Sequence, residues 1–175
     1  MKTQVHRRPS LLIAGIQAAL MLLIGLQFWF DRQTSPRAWV PTEPVDPNLP
    51  IRGRYITLNM VVPFFPTSSD VSTLDLIGSW QHVRLRVEAY RLEAVQKGSS
   101  KVNNHGGKSR LSEGLLVVNP GPDLAFFIPP DVKDPSIRPD GSTLWVEVTL
   151  PGLGAPRPIR LGIEKDGQIE PLVLR

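Results

Sequence analysis

The chain reads as a mainly β protein, with one N-terminal transmembrane helix followed by a small antiparallel β-barrel or sandwich. Three observations predict this. Leu11 to Phe30 is a twenty-residue apolar run without a charge, apolar residues past Pro50 recur with a period of two, and eighteen prolines leave little room for further helices. Residues 1–10 form a basic tail, 11–30 the span, 31–50 a Pro-rich linker and 51–175 an extracytoplasmic β domain.

At about 1.5 Å of rise per residue the run from Leu11 covers the roughly 30 Å hydrocarbon core of a bilayer. A cleaved signal peptide needs an apolar region of about 7 to 15 residues and a small-residue cleavage site. This run is longer, and Phe28, Trp29, Phe30, Asp31 and Arg32 follow where small residues would be required. The bulky aromatics suit the membrane interface. Lys2, Arg7 and Arg8 precede the span and Arg32 and Arg37 follow it, so the cationic excess places the amino terminus in the cytoplasm. The C-terminal domain is then periplasmic, and the chain a single-pass protein of the cell's inner (plasma) membrane.

The span carries texture beyond a plain hydrophobic peg. Ala14, Gln17, Ala18, Met21 and Gly25 adjoin one helical stripe, where small side chains let a second helix approach and an amide seeks a partner. This stripe could seat a second helix in the membrane lipid; the alternative is a simple tether.

The formal net charge is +4, from 20 Lys and Arg against 16 Asp and Glu. The five cations flanking the span account for the excess, because fifteen basic and fifteen acidic residues remain from Ala38 onward. A neutral domain without a basic stripe lacks the footprint of a nucleic-acid binder. The basic tail suits anionic lipid instead. Cysteine is absent, which excludes disulfides, Cys-type zinc sites and a thiol nucleophile. About 125 residues beyond the linker suffice for one domain.

Within the linker, Pro41, Pro44, Pro47 and Pro50 recur every third residue. Three residues per turn is the polyproline II repeat, so the segment reads as a stiff spacer or as a strip docked along its own domain. Strand signals follow. Ile56, Leu58, Met60 and Val62 alternate with Tyr55, Thr57 and Asn59; Val83, Leu85 and Val87 alternate with Arg84 and Arg86, with a bulge expected at Ala89 and Tyr90. Leu115–Val118 and Leu124–Ile128 are short continuous runs that predict deeply buried strands. Leu144, Val146, Val148 and Leu150 alternate again. Ile159, Leu161 and Ile163 lead through Asp166-Gly167 to Ile169 and Leu172, and Asp-Gly is a strong hairpin signal. Residues 96–112, rich in Gly, Ser, Asn and Lys, and residues 132–141 read as loops.

Pro44, Asp46, Pro47, Arg52, Gly53, Arg54, Tyr55, Leu58 and Met60 together resemble the signature of the GDYXXLXY family of bacterial membrane-anchored proteins. Gly53, Tyr55 and Leu58 match the motif, whereas Arg54 stands where the family has Asp and Met60 where it has Tyr. Phe126-Phe127-Ile128-Pro129 resembles a second family segment. The resemblance implies a membrane-anchored protein without an assigned activity, with members encoded beside polytopic membrane proteins. On the residues alone, Gly53 suits a strand entry, Leu58 and Met60 belong to the packed face, and Tyr55 points to the other face. Tyr55 is the motif's candidate for binding, against a packing role for its ring.

Other patterns carry less chemistry. Gly106-Gly107-Lys108-Ser109 ends like a P-loop but has Val102 where the first Gly is needed. His82 and His105 lack ligand spacing, Asp131, Asp134 and Asp140 miss that of a calcium loop, and no nucleophile elbow occurs. No cofactor, metal or catalytic residue is expected. The chain reads as a binding or accessory subunit of a membrane complex and not as an enzyme. The alternative is an anchored hydrolase of Ser-Lys peptidase type, with Ser68 or Ser69 as nucleophile.

Overall fold

Arg7–Thr34 forms a single 28-residue helix, α1, in a computed structural model that describes residues 7–45, 55–67, 72–96, 104–129, 131–138, 141–152 and 154–174. Every side chain from Leu11 to Phe30 is exposed. Such a surface is unfavourable in water and suited to lipid, and the stretch Leu11–Thr34 is long and apolar enough to cross a membrane. The helix runs four residues past Phe30, where Thr34 Oγ1 donates to the Phe30 carbonyl at 2.9 Å. Pro36, which has no N–H to donate, follows its end.

The second unit starts at Pro36, which corrects the linker. Arg37–Pro44 is strand β1, hydrogen-bonded inside the sheet and neither a spacer nor a docked polyproline strip. Its partners include Leu144–Thr149, numbered β9 below, from Arg37↔Thr149 to Thr42↔Leu144. Ala38, Val40 and Thr42 are buried while Trp39, Pro41 and Glu43 face the other way. The proline spacing masked this period of two. Pro47 and Pro50 lie outside the described residues.

The remaining strands are β2 (Tyr55–Met60), β3 (Val62–Phe65), β4 (Trp80–Glu88), β5 (Arg91–Gln96), β6 (Asn104–Ser112), β7 (Leu115–Val118), β8 (Leu124–Phe127), β9 (Leu144–Thr149), β10 (Arg157–Lys165) and β11 (Gln168–Pro171). Thr73–Leu76 adds one helical turn, α2, capped by the Ser72 hydroxyl. One arm of the sheet runs β11-β10-β9-β1, all antiparallel, with β2 and then β8 branching from β1. Beyond β5 the pairings run in a circuit, β5-β4-β6-β7-β3 and back to β5. Both pairings of β3 are short, at two residue pairs each. The sheet is therefore partly rolled, and its ladders are antiparallel except β1–β5 and β3–β5.

Val40, Leu58, Met60, Val62, Val83, Leu92, Val118, Val146, Val148 and Leu161 are all but sealed from solvent and form the centre of the core. Burial of apolar side chains contributed by strands from both parts of the sheet is the main force holding them together.

The expected bulge at Ala89 and Tyr90 is instead a two-residue turn between β4 and β5, closed by the pair Glu88↔Arg91. Both residues take positive φ, 45° and 62°, as a type I′ turn demands and as Cβ disfavours. Replacing Ala89 by Asn and Tyr90 by Gly is expected to stabilise the domain by about 1 kcal/mol, read as a raised midpoint in chemical denaturation. The Trp39 N–H bond to the Tyr90 carbonyl, at 2.8 Å, is backbone only and survives the change. The Asp166-Gly167 turn forms as expected, with φ of 51° and 76°.

Residues 104–112, expected as part of a loop, are the nine-residue strand β6. Its glycines are steric choices. A Cβ on Gly107 would lie 2.0 Å from the Asn119 carbonyl oxygen, and one on Gly106 would lie 2.7 Å from Trp80 Nε1.

Candidate functional site

Strand β9 is buried at all six positions, although its sequence alternates as a half-wet strand would. Leu144, Val146 and Val148 join the core, so Trp145, Glu147 and Thr149 must be covered from the other side. The register explains how. Glu147 lies between Trp39 of β1 and Arg160 of β10, and Trp145 between Pro41 and Gly162.

Two cation and aromatic pairs close this face. Arg160 Nε donates to Glu147 Oε2 at 2.6 Å while its guanidinium lies 5.5 Å from the Trp39 ring centroid. Arg91 of β5 donates to Glu164 Oε1 at 3.1 Å and lies 4.9 Å from the Trp145 ring. Both guanidiniums thus meet a carboxylate and an indole face together, a combination suited to their planar charge. Gly162 leaves room for Trp39, whose ring would stand 2.7 Å from a Cβ there. Glu147, 7% exposed, has its carboxylate paired with the Arg160 guanidinium, as a buried acidic side chain requires.

Beside this face opens a groove of about 720 Å³, lined among others by Trp39, Trp145, Arg91, Leu115, Arg138 and Glu164. Trp145 Nε1 is buried without a hydrogen-bond partner. Arg138 Nε donates to Ser142 Oγ at 2.8 Å. The lining combines aromatic faces, charges of both signs and hydroxyls, which is the equipment of a binding groove. Among the described residues no group of three His, Asp or Glu could hold a metal.

The motif residues divide. Leu58 and Met60 are buried in the core, as their phase predicts, and Pro44 ends β1 and lines the groove. Tyr55 is 62% exposed and meets its register partner Phe127 edge-on, with centroids 5.5 Å apart. Asp46, Pro47, Arg52, Gly53 and Arg54 lie outside the described residues, as do Ser68, Ser69 and Asp140. Ala14, Gln17, Ala18, Met21 and Gly25 are all exposed on α1, and nothing lies within 4 Å of where a Cβ on Gly25 would be.

Other candidates resolve into structure. Gly106 to Ser109 lie in β6, and Ser109 is fully buried with its hydroxyl donating to the Leu76 carbonyl. Asp134 accepts from the Ser136 N–H at 2.8 Å, a turn cap. His105 is 9% exposed, its Nε2 lacks a partner, and burial lowers its pKa from 6.5. The unfolded chain then binds the proton more readily, so stability is full above about pH 6.5 and is lost as pH falls below it. His105→Gln is expected to flatten the fall in melting temperature between pH 7.5 and 5.5; an unchanged slope would assign that fall elsewhere.

The groove pairs were invisible in the chain. Arg91 and Glu164 lie 73 residues apart, and Trp145 and Glu147 occupy the positions between Leu144, Val146 and Val148, which alternation alone would turn to water. No protein-family model matches the chain, and no curated protein or solved structure matches it.

Proposed function

We propose that the chain is a single-pass inner-membrane protein with its amino terminus in the cytoplasm, serving as a binding or accessory subunit of a membrane complex through its periplasmic β domain. The observation that carries this reading is α1, whose apolar side chains are exposed throughout and carry a stripe of small residues with one amide. Gln17 in hydrocarbon favours a helix that can satisfy it. The groove beside Trp39 and Trp145 supports a role in binding rather than catalysis. The motif around Tyr55 and Leu58 supports kinship with the GDYXXLXY proteins and, with it, a polytopic membrane partner.

The test is tagged purification from native membranes in mild detergent, with mass spectrometry of what co-purifies. Recovery of one stoichiometric polytopic protein is expected. Replacing residues 11–30 by polyleucine should lower that yield several-fold while leaving membrane insertion intact; an unchanged yield would refute pairing through the stripe.

A further inference from the structure

A second surface, at the start of β4, is separate from the groove. Trp80 is 66% exposed and covers Gly106. Just before it, Leu74 and Ile77 are 77% and 38% exposed. This segment is fixed against β6: the Gly78 N–H donates to the Ser109 carbonyl at 2.8 Å and the Ser109 N–H to the Ser79 carbonyl at 3.0 Å. Lys108 is the register partner of Trp80. Alternation along β4 sets His82 and Arg84 on the same face.

The charge here has one dominant sign. Arg86 is paired with Glu93 and Arg110 with Glu43, whereas Arg84 and Lys108 have no ion-pair partner among the described residues. Neither Trp80–Val87 nor Asn104–Ser112 contains an acid; the carboxylates nearest in sequence are Asp75 of α2, Glu88 at the far end of β4 and Glu113 just beyond β6. Exposed aliphatic side chains, an exposed indole and uncompensated cations together match a phosphate-bearing interface. A polar glycan would leave Leu74 and Ile77 without a role.

We propose that this patch docks on an anionic lipid bilayer, with Leu74, Ile77 and Trp80 entering the interface and Arg84 and Lys108 meeting lipid phosphates. The inference rests on the anchored reading above, because α1 brings a membrane within reach.

The chain has no cysteine, so one label can be placed at will. The full chain carrying Ile77→Cys with a nitroxide is reconstituted in phosphatidylcholine vesicles with and without phosphatidylglycerol, and collisions with oxygen and with a water-soluble nickel chelate are measured. Anionic vesicles should cut nickel collisions at position 77 several-fold and raise those with oxygen. A label at Tyr90→Cys should not respond, and Arg84→Glu with Lys108→Glu should abolish the difference.

Equal nickel access in both vesicles would overturn the proposal, as would shielding that appears only on adding soluble envelope glycan. Flotation after alkaline washing scores the anchor separately. A chain that alkali releases but whose position 77 is shielded at neutral pH upholds the patch and overturns the anchor.

Discussion

Gly107→Ala is expected to destabilise the β domain by about 3 kcal/mol, far beyond the usual effect of one methyl group. The added Cβ would sit 2.0 Å from the Asn119 carbonyl oxygen. That atom is backbone, in the segment that follows β7, so relief requires the pairing of β6 and β7 to shift. Gly106→Ala is the control. Its Cβ would meet Trp80 at 2.7 Å, but an exposed side chain can swing aside, and a cost below about 1.5 kcal/mol is expected. Urea denaturation of both variants decides the matter; equal, small losses would show that Gly107 does not lie against the Asn119 carbonyl.

Leu58→Ala is expected to cost about 2–5 kcal/mol, the range for truncating a buried leucine. Leu58 is completely buried, and β2 connects β1 to β8, so a cavity there loosens three strands together. Tyr55→Ala, three residues away in the same motif, should cost less than about 1 kcal/mol, because its ring is largely exposed and meets Phe127 edge-on. A large loss from Tyr55→Ala would assign the tyrosine a buried role that its exposure denies it. A small loss together with weaker co-purification of a membrane partner would make it a contact residue.

The ease of reading differed between elements for identifiable reasons. β2 and β4 alternate cleanly because one face is core and the other is more exposed. β1 was obscured because Pro41 and Pro44 imposed a period of three on a segment whose Ala38, Val40 and Thr42 are buried with a period of two. β6 was obscured because Gly106, Gly107, Lys108 and Ser109 have loop composition. The glycines there answer to Trp80 and to Asn119, neither of which is a sequence neighbour. At Ala89 and Tyr90 a tight hairpin formed from residues that do not advertise one, since the register of β4 with β5 outweighs the strain of two positive φ angles.

The membrane-length helix, the β class, the Asp-Gly hairpin and the inward faces of most strands were determined by the chain alone, since each depends on residues within a few positions of one another. The order of the strands, the inclusion of β1, the full burial of β9 and the two arginine–tryptophan pairs were decided only by the tertiary structure. Pairings such as Arg91 with Glu164 join residues 73 positions apart. Whether a carboxylate such as Glu147 faces water or a guanidinium depends on which strand lies beside it, and local periodicity carries no record of that choice.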